Sequence, residues 1–411
     1  MTDQARRQVS SRLLITVIAA FGALALGDVR AQEAPKSIRI GYVVSKTGRD
    51  APGASASTTP NYQMWIKEVN AAGGLMLKAY GKRVPIEAVE YDDQSQAEEA
   101  IRATERLINQ DKVDVVLPPW GTANNLAVGP TLNRHGYPHL AVASITDKAP
   151  EFAKRWSNVF FFLGMGSQYG EALVSTLEEA RKAGKIGNTI AMISVADGFG
   201  VDLSRATRNV VEKHGFKLVY DKSYPPSTQD MSPILNEVKA LNPDAFIAFS
   251  YPPDTFLLTD QAKVLGFNPK VFYAGVGTAL PGYKKKNGAS LDGVMGPGGV
   301  DLDSPAIQDY FKRHTVSAGY EPDRWTSAVT WSSLQVLQQA IERVGKIDRE
   351  AITREIKTGT FDTIVGPVKM DNQMYTNLWW VGQWQGGEFY GVAPKDKKGA
   401  KAPTIPKPAW K

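Results

Sequence analysis

From residue 38 onward, short apolar runs rich in β-branched residues alternate with longer segments whose apolar residues recur at helical spacing. The series then occurs a second time. Alternation of this kind is the mark of strand–helix–strand units, in which a crossover helix returns the chain to a parallel strand. In the first series, residues 38–44, 84–89, 113–117 and 139–143 read as strands. A helix starts after Ser57-Thr58-Thr59-Pro60, with Tyr62, Trp65, Ile66 and Val69 on one face, and stops at Ala71-Ala72-Gly73-Gly74. Helices are also expected over 97–110 and 126–134. The pattern restarts after Gly166, with helices over 170–183, 201–214, 232–241 and 255–265. Strands are expected there over 189–195, 216–220, 245–250 and 271–274. Three helices follow (304–318, 327–344, 349–357), then strands over 365–370 and 378–384. The fold class is therefore α/β, with two doubly wound parallel sheets forming two lobes.

At 411 residues, the chain is long enough for two lobes with full cores. Its 43% hydrophobic and 22% charged residues are those of a globular protein and exclude a disordered or polytopic membrane chain. With no cysteine, disulfide scaffolds, thiolate metal sites and cysteine nucleophiles are ruled out. The net charge of +6 is spread thinly and does not point to nucleic acid.

The first residues read as an export address. Arg6, Arg7 and Arg12 precede an apolar run over 13–26, followed by Val29-Arg30-Ala31, a small-x-small cleavage pattern. The run is shorter than the ~20 residues of a membrane span, so residues 1–31 are expected to be a signal peptide rather than a permanent anchor. Their removal takes away four Arg and two Asp and leaves +4. The expected location is the periplasm. At the other end, residues 393–411 hold six Lys and four Pro with almost no aliphatic residue, and are expected to form a flexible tail.

In open α/β sheets, ligands sit beyond the carboxyl ends of the strands. The loops to inspect are 45–54, 118–125, 143–147, 196–200, 250–254 and 275–279. They carry no reaction signature. His135, His139, His214 and His314 form no ligand-spaced pair. No phosphate loop or nucleophile elbow occurs. Gly275-Val276-Gly277 lacks the third glycine of a dinucleotide fingerprint, and Asp92-Asp93 reads as a capping or solvated pair. Binding is favoured over catalysis: no enzyme activity, cofactor or metal is expected.

The residues resemble the periplasmic solute-binding proteins of branched-chain-amino-acid-type ABC transporters, the type I periplasmic binding protein fold that includes leucine-binding proteins. The resemblance is carried by Ile38-Arg39-Ile40-Gly41, Lys46-Thr47-Gly48, Val69-Asn70-Ala71-Ala72-Gly73-Gly74 and Tyr91-Asp92-Asp93-Gln94. Asp197-Gly198-Phe199-Gly200, Asn242-Pro243-Asp244-Ala245 and Val365-Gly366-Pro367 continue it through the chain. It implies a three-segment hinge with crossings at 162–166, 295–299 and 364–367. Lobe one would hold 36–162 and 300–363, and lobe two 167–295 and 367–392. It also implies a monomer that closes on a small ligand and is read by a membrane permease. A periplasmic sensor of the same fold is the alternative, and an exported α/β enzyme a more distant one.

Carried over residue by residue, the ligand site would comprise Trp120, Gly121 and Thr122, then Ala143 and Ser144 with Thr146 nearby, and Phe199, Tyr251 and Gly277. Thr122 and adjacent N–H groups would hold a carboxylate, or Thr122 would cap the helix that follows. Arg49 and Lys46 are further anion donors or solvated surface. Two departures from amino-acid binders stand out. Glycine at Gly277 replaces the acidic residue that pairs with a ligand ammonium, and Trp120 replaces a smaller residue. The ligand is thus expected to be a small carboxylate, a branched-chain amino acid or a related aliphatic or aromatic acid. Asp147, Asp197 or Asp254 would supply the counter-charge if an ammonium is present.

Overall fold

A computed structural model describes residues 33–411; the expected signal peptide lies outside the described residues. Strand Ile38–Val44 is buried along almost its whole length and sits between Ile86–Asp92 and Val115–Leu117, all three parallel. Such two-sided burial is what an uninterrupted apolar run requires. His139–Ala141 and Val159–Phe161 form a further parallel pair. Helix Ala97–Asn109 turns Ala100, Thr104, Leu107 and Ile108 inward, while its glutamates and arginines stay outside.

The second lobe is built on seven strands, in the order Glu388–Ala393, Val381–Gln385, Met295–Gly296, Val271–Ala274, Ala245–Phe249, Thr189–Val195 and Lys217–Tyr224. The last five are parallel; the first two are antiparallel additions at one edge. The turn between those two is Gly386-Gly387, at φ 58° and 84°. Positive φ at both central residues is what a tight hairpin matched to strand twist demands.

Helices Pro305–Ala318 and Thr326–Val344 return to lobe one and pack on Thr58–Ala71. Tyr310 Oη donates to Asn61 Oδ1 at 2.8 Å and Trp65 Nε1 to Gln338 Oε1 at 3.0 Å. The expected third crossing shifts along the chain. Gly366–Lys369 pairs back onto Thr360–Thr363 as a hairpin, and Met374 bridges Phe161. Residues 367–374 therefore stay with lobe one, and the chain enters lobe two only after Tyr375.

The tail is also corrected, because it lies against lobe two instead of hanging free. The Gln383 side chain brackets Thr404, donating to its carbonyl at 2.9 Å and accepting from its N–H at 2.7 Å. Ile405 and Lys407 are buried. Trp410 Nε1 donates to Phe267 O at 2.8 Å, and its ring meets Phe272 edge-on at 5.2 Å. A few anchors spaced along an otherwise polar segment offset its ordering entropy, which average composition does not register. Trp410→Ala is expected to lower the unfolding free energy by roughly 2 kcal/mol, less than for a fully buried tryptophan. Urea unfolding checks this, and an unchanged midpoint would mean that the tail contributes nothing to lobe two.

Candidate functional site

The loops at the carboxyl ends of both sheets meet in a cleft. On the lobe-one side, Trp120 is buried with its Nε1 donating to Ser57 Oγ at 3.1 Å. Its seat depends on Gly53, where a Cβ would stand 2.2 Å from the indole ring. On the lobe-two side, Phe199 opens helix Gly198–Lys213, and Tyr251 precedes helix Pro252–Val264. The rings form a continuous row across the cleft. Trp120 and Tyr251 have centroids 5.8 Å apart, and Tyr251 and Phe199 5.0 Å.

Thr122, Ala143 and Gly121 complete the expected part of the wall, and Ile145, Leu163, Val276, Trp325 and Thr326 also line it. None of the lining residues carries a charge. The enclosed volume is about 20 Å³, room for about one or two waters. The lobes are thus closed on each other, and a ring-sized ligand enters only when they part.

Individual expectations fare differently. Thr122 does not cap the helix Thr122–Arg134 with its side chain; Gly121 holds the cap position, and Thr122 Oγ1 accepts from Ile145 N at 3.1 Å. The hydroxyl ties two cleft-lining loops together. Ser144 lies between two lining residues, with its hydroxyl buried and without a hydrogen-bond partner. Gly277 does not face the cleft: a Cβ there would press on Pro252 at 2.9 Å, and Val276 takes the lining position. The lining residues that sequence reasoning missed come from a crossing (Leu163) and from the start of helix Thr326–Val344 (Trp325, Thr326). Their only local signal is position, beside a glycine and at a helix start respectively.

Polar groups clasp the mouth. Asp92 accepts from Lys46 N, Gln94 N and Thr47 Oγ1, which fixes the loop that carries Arg49. Arg49 Nη2 reaches lobe two and meets Asp197 Oδ2 at 3.1 Å, and its guanidinium lies 5.1 Å from the Tyr251 ring centroid. Thr146 Oγ1 donates to Asp202 Oδ2 at 2.5 Å. Lys46 pairs with Glu90 instead of facing the cleft. Each carboxylate considered for an ammonium is engaged elsewhere: Asp147 by Ser167, Asp197 by Arg49 and Gly200 N, and Asp254 by Tyr224 Oη at 3.2 Å. Burial, followed by the nearby Asp197 and Asp50 carboxylates, raises the Tyr251 phenol, so it stays protonated. Among the described residues, no cluster of three or more metal-ligating side chains occurs, and no helix is long and apolar enough to cross a membrane.

Comparison with known proteins decides the family. The family model for periplasmic binding proteins matches residues 37–388. The chain belongs to the periplasmic binding protein family. Among curated relatives, a Leu/Ile/Val-binding protein homologue from Brucella abortus is 21% identical over 90% of this chain and 96% of its own. Among solved structures, a leucine-binding protein from Thermotoga maritima superposes with a TM-score of 0.73 at 23% identity, covering 87% of this chain and 99% of the other. A solute-binding protein from R. palustris, solved with benzoate, has a TM-score of 0.75 at 18% identity over 91% and 97%. The type I architecture is thus established, and this binding protein has a solute-binding role. Its two lobes are joined by a three-segment hinge.

Asp50 gives a pH test of the clasp. Burial first, then Asp93 and Asp197, push its carboxyl up to about 6 against the opposing pull of Arg49. The folded protein therefore holds this proton more tightly than the unfolded chain, whose aspartates titrate near 3.9. Stability from this group falls as pH rises from about 4 to about 6 and is level above, with a slope of at most about 1.4 kcal/mol per unit. The unfolding free-energy difference between wild type and Asp50→Asn is expected to follow that slope. A difference flat over this range would show that Asp50 is not perturbed.

Proposed function

We propose that this protein is the extracytoplasmic solute-binding subunit of an ABC importer. It captures a small carboxylate with an aromatic or branched aliphatic body between its closing lobes and presents it to a membrane permease. Residues 1–31 would direct it to the periplasm. The observation that carries the reading is the cleft wall itself: Trp120, Phe199 and Tyr251 in a row, a neutral hydroxyl group at Thr122, and no ionised side chain among the lining residues.

The wall also favours one end of that ligand range. A ligand ammonium enclosed there would lack a counter-charge, at a cost of several kcal/mol. Asp147, Asp197 and Asp254 already serve other groups. A carboxylate has better prospects: the N–H groups at the start of helix Thr122–Arg134 have no side-chain cap and favour negative charge. Aromatic or deaminated acids therefore fit better than leucine. The R. palustris neighbour holds benzoate, which supports the capacity of this architecture for such a ligand.

A thermal-shift panel tests the reading, setting benzoates and phenylpropenoates against leucine, isoleucine and valine. A ligand at a hundredfold excess over its dissociation constant adds about 2.7 kcal/mol to stability. Aromatic acids are expected to raise the midpoint, and Trp120→Leu to weaken them by about two- to tenfold through the lost ring contact. A shift with leucine and none with any aromatic acid would overturn the preference for a ligand without an ammonium.

A further inference from the structure

Behind the cleft, where the chain passes between lobes, lies a second cavity of about 390 Å³. This is within the size range of small-molecule sites, whereas the closed cleft holds about 20 Å³. One wall is the second crossing, at Gly299 and Val300; another is the third, at Tyr375, Leu378 and Trp379. Trp325 is shared, with the cleft on its other side.

A cation without a charged partner marks this cavity as more than a packing gap. At the rim stand Lys397 and Lys398, opposed by a single carboxylate, Asp301. Neither lysine forms an ion pair among the described residues. Lys397 Nζ donates to the carbonyl of Asn377 at 2.7 Å and to its side-chain oxygen, both neutral, and lies 5.4 Å from the Trp379 ring centroid. Burial without a counter-charge lowers this ammonium to about 8, a cost that a bound anion would offset. Flat aromatic walls with an unmatched cation at the rim describe a complement to one kind of molecule.

We propose that the hinge cavity is a second binding site, separate from the cleft, for a monoanionic aromatic amphiphile. Its ring system lies against Trp325, Trp379 and Tyr375, and its anionic group meets Lys397. The site does not depend on the identity of the cleft ligand.

Calorimetric titration with 2-naphthoate tests it, on wild type and on Lys397→Gln, Lys397→Arg, Tyr375→Phe and Trp120→Leu. Loss of the charged contact in Lys397→Gln is expected to weaken binding at least about tenfold, while Tyr375→Phe keeps the ring wall and is expected to bind within about threefold of wild type. Lys397→Arg keeps the charge and is expected to bind within about threefold of wild type. Trp120→Leu leaves this site unchanged. The proposal is overturned if 2-naphthoate does not bind, or if it binds Lys397→Gln as it binds wild type. Failure of the cleft reading has a different signature: benzoate binding insensitive to Trp120→Leu, with Lys397-dependent naphthoate binding retained.

Discussion

Arg49 is the side chain through which the two lobes hold each other. Its guanidinium leaves lobe one, pairs with Asp197 on lobe two and lies over the face of Tyr251, which in turn packs at a tilt against Trp120 and Phe199. Half-buried pairs and cation–π contacts of this kind are worth on the order of 1 kcal/mol each. The clasp is therefore weak enough to release. Moving a two-state equilibrium from almost all open to almost all closed takes about 5.5 kcal/mol of differential binding. A cleft held by stronger interlobe contacts would close regardless of ligand, and one with none would lack a defined closed geometry.

The same economy governs which groups face the ligand. Ionised side chains sit at the mouth, where they bind one another; rings, small aliphatics and hydroxyls face inward. Asp50 shows the limit of this separation. Burial, with Asp93 and Asp197 close by, raises its carboxyl to about 6 against the opposing pull of Arg49. Nearer the hinge, Trp325 on Tyr169 adds a neutral contact. Polarity thus falls from the mouth to the interior, which suits a ligand whose charge is confined to one end.

Much of the architecture was legible in the sequence because buried parallel strands are written as apolar runs. Ile38–Val44, Thr189–Val195 and Val271–Ala274 have the boundaries the pattern implies. Less legible were features decided by distant contacts. Strand Glu388–Ala393 was not expected, although Gly386-Gly387 is a strong hairpin signal. The tail read as mobile because one isoleucine, one tryptophan and the Gln383 amide outweigh its lysines only once lobe two is in place. In the site, strand-end position and family motif pick out Trp120, Thr122, Phe199 and Tyr251, all of which line the closed cleft. They also pick out Gly277, whereas its neighbour Val276 takes the lining position. Trp325 and Leu163 escaped notice because they reach the cleft from a helix start and a crossing, not from a strand-end loop.

The central claim is that the two lobes close on a small carboxylate. The chain has no cysteine, so two can be introduced for spin labels without background. Exposed positions Ser55 on lobe one and Gln229 on lobe two flank the cleft mouth. With S55C and Q229C labelled, the interlobe distance distribution measured by electron double resonance should be broad in the free protein. On addition of saturating benzoate it should become narrower and shorter. A distribution that does not change with benzoate, with other aromatic acids or with branched-chain amino acids would contradict the account.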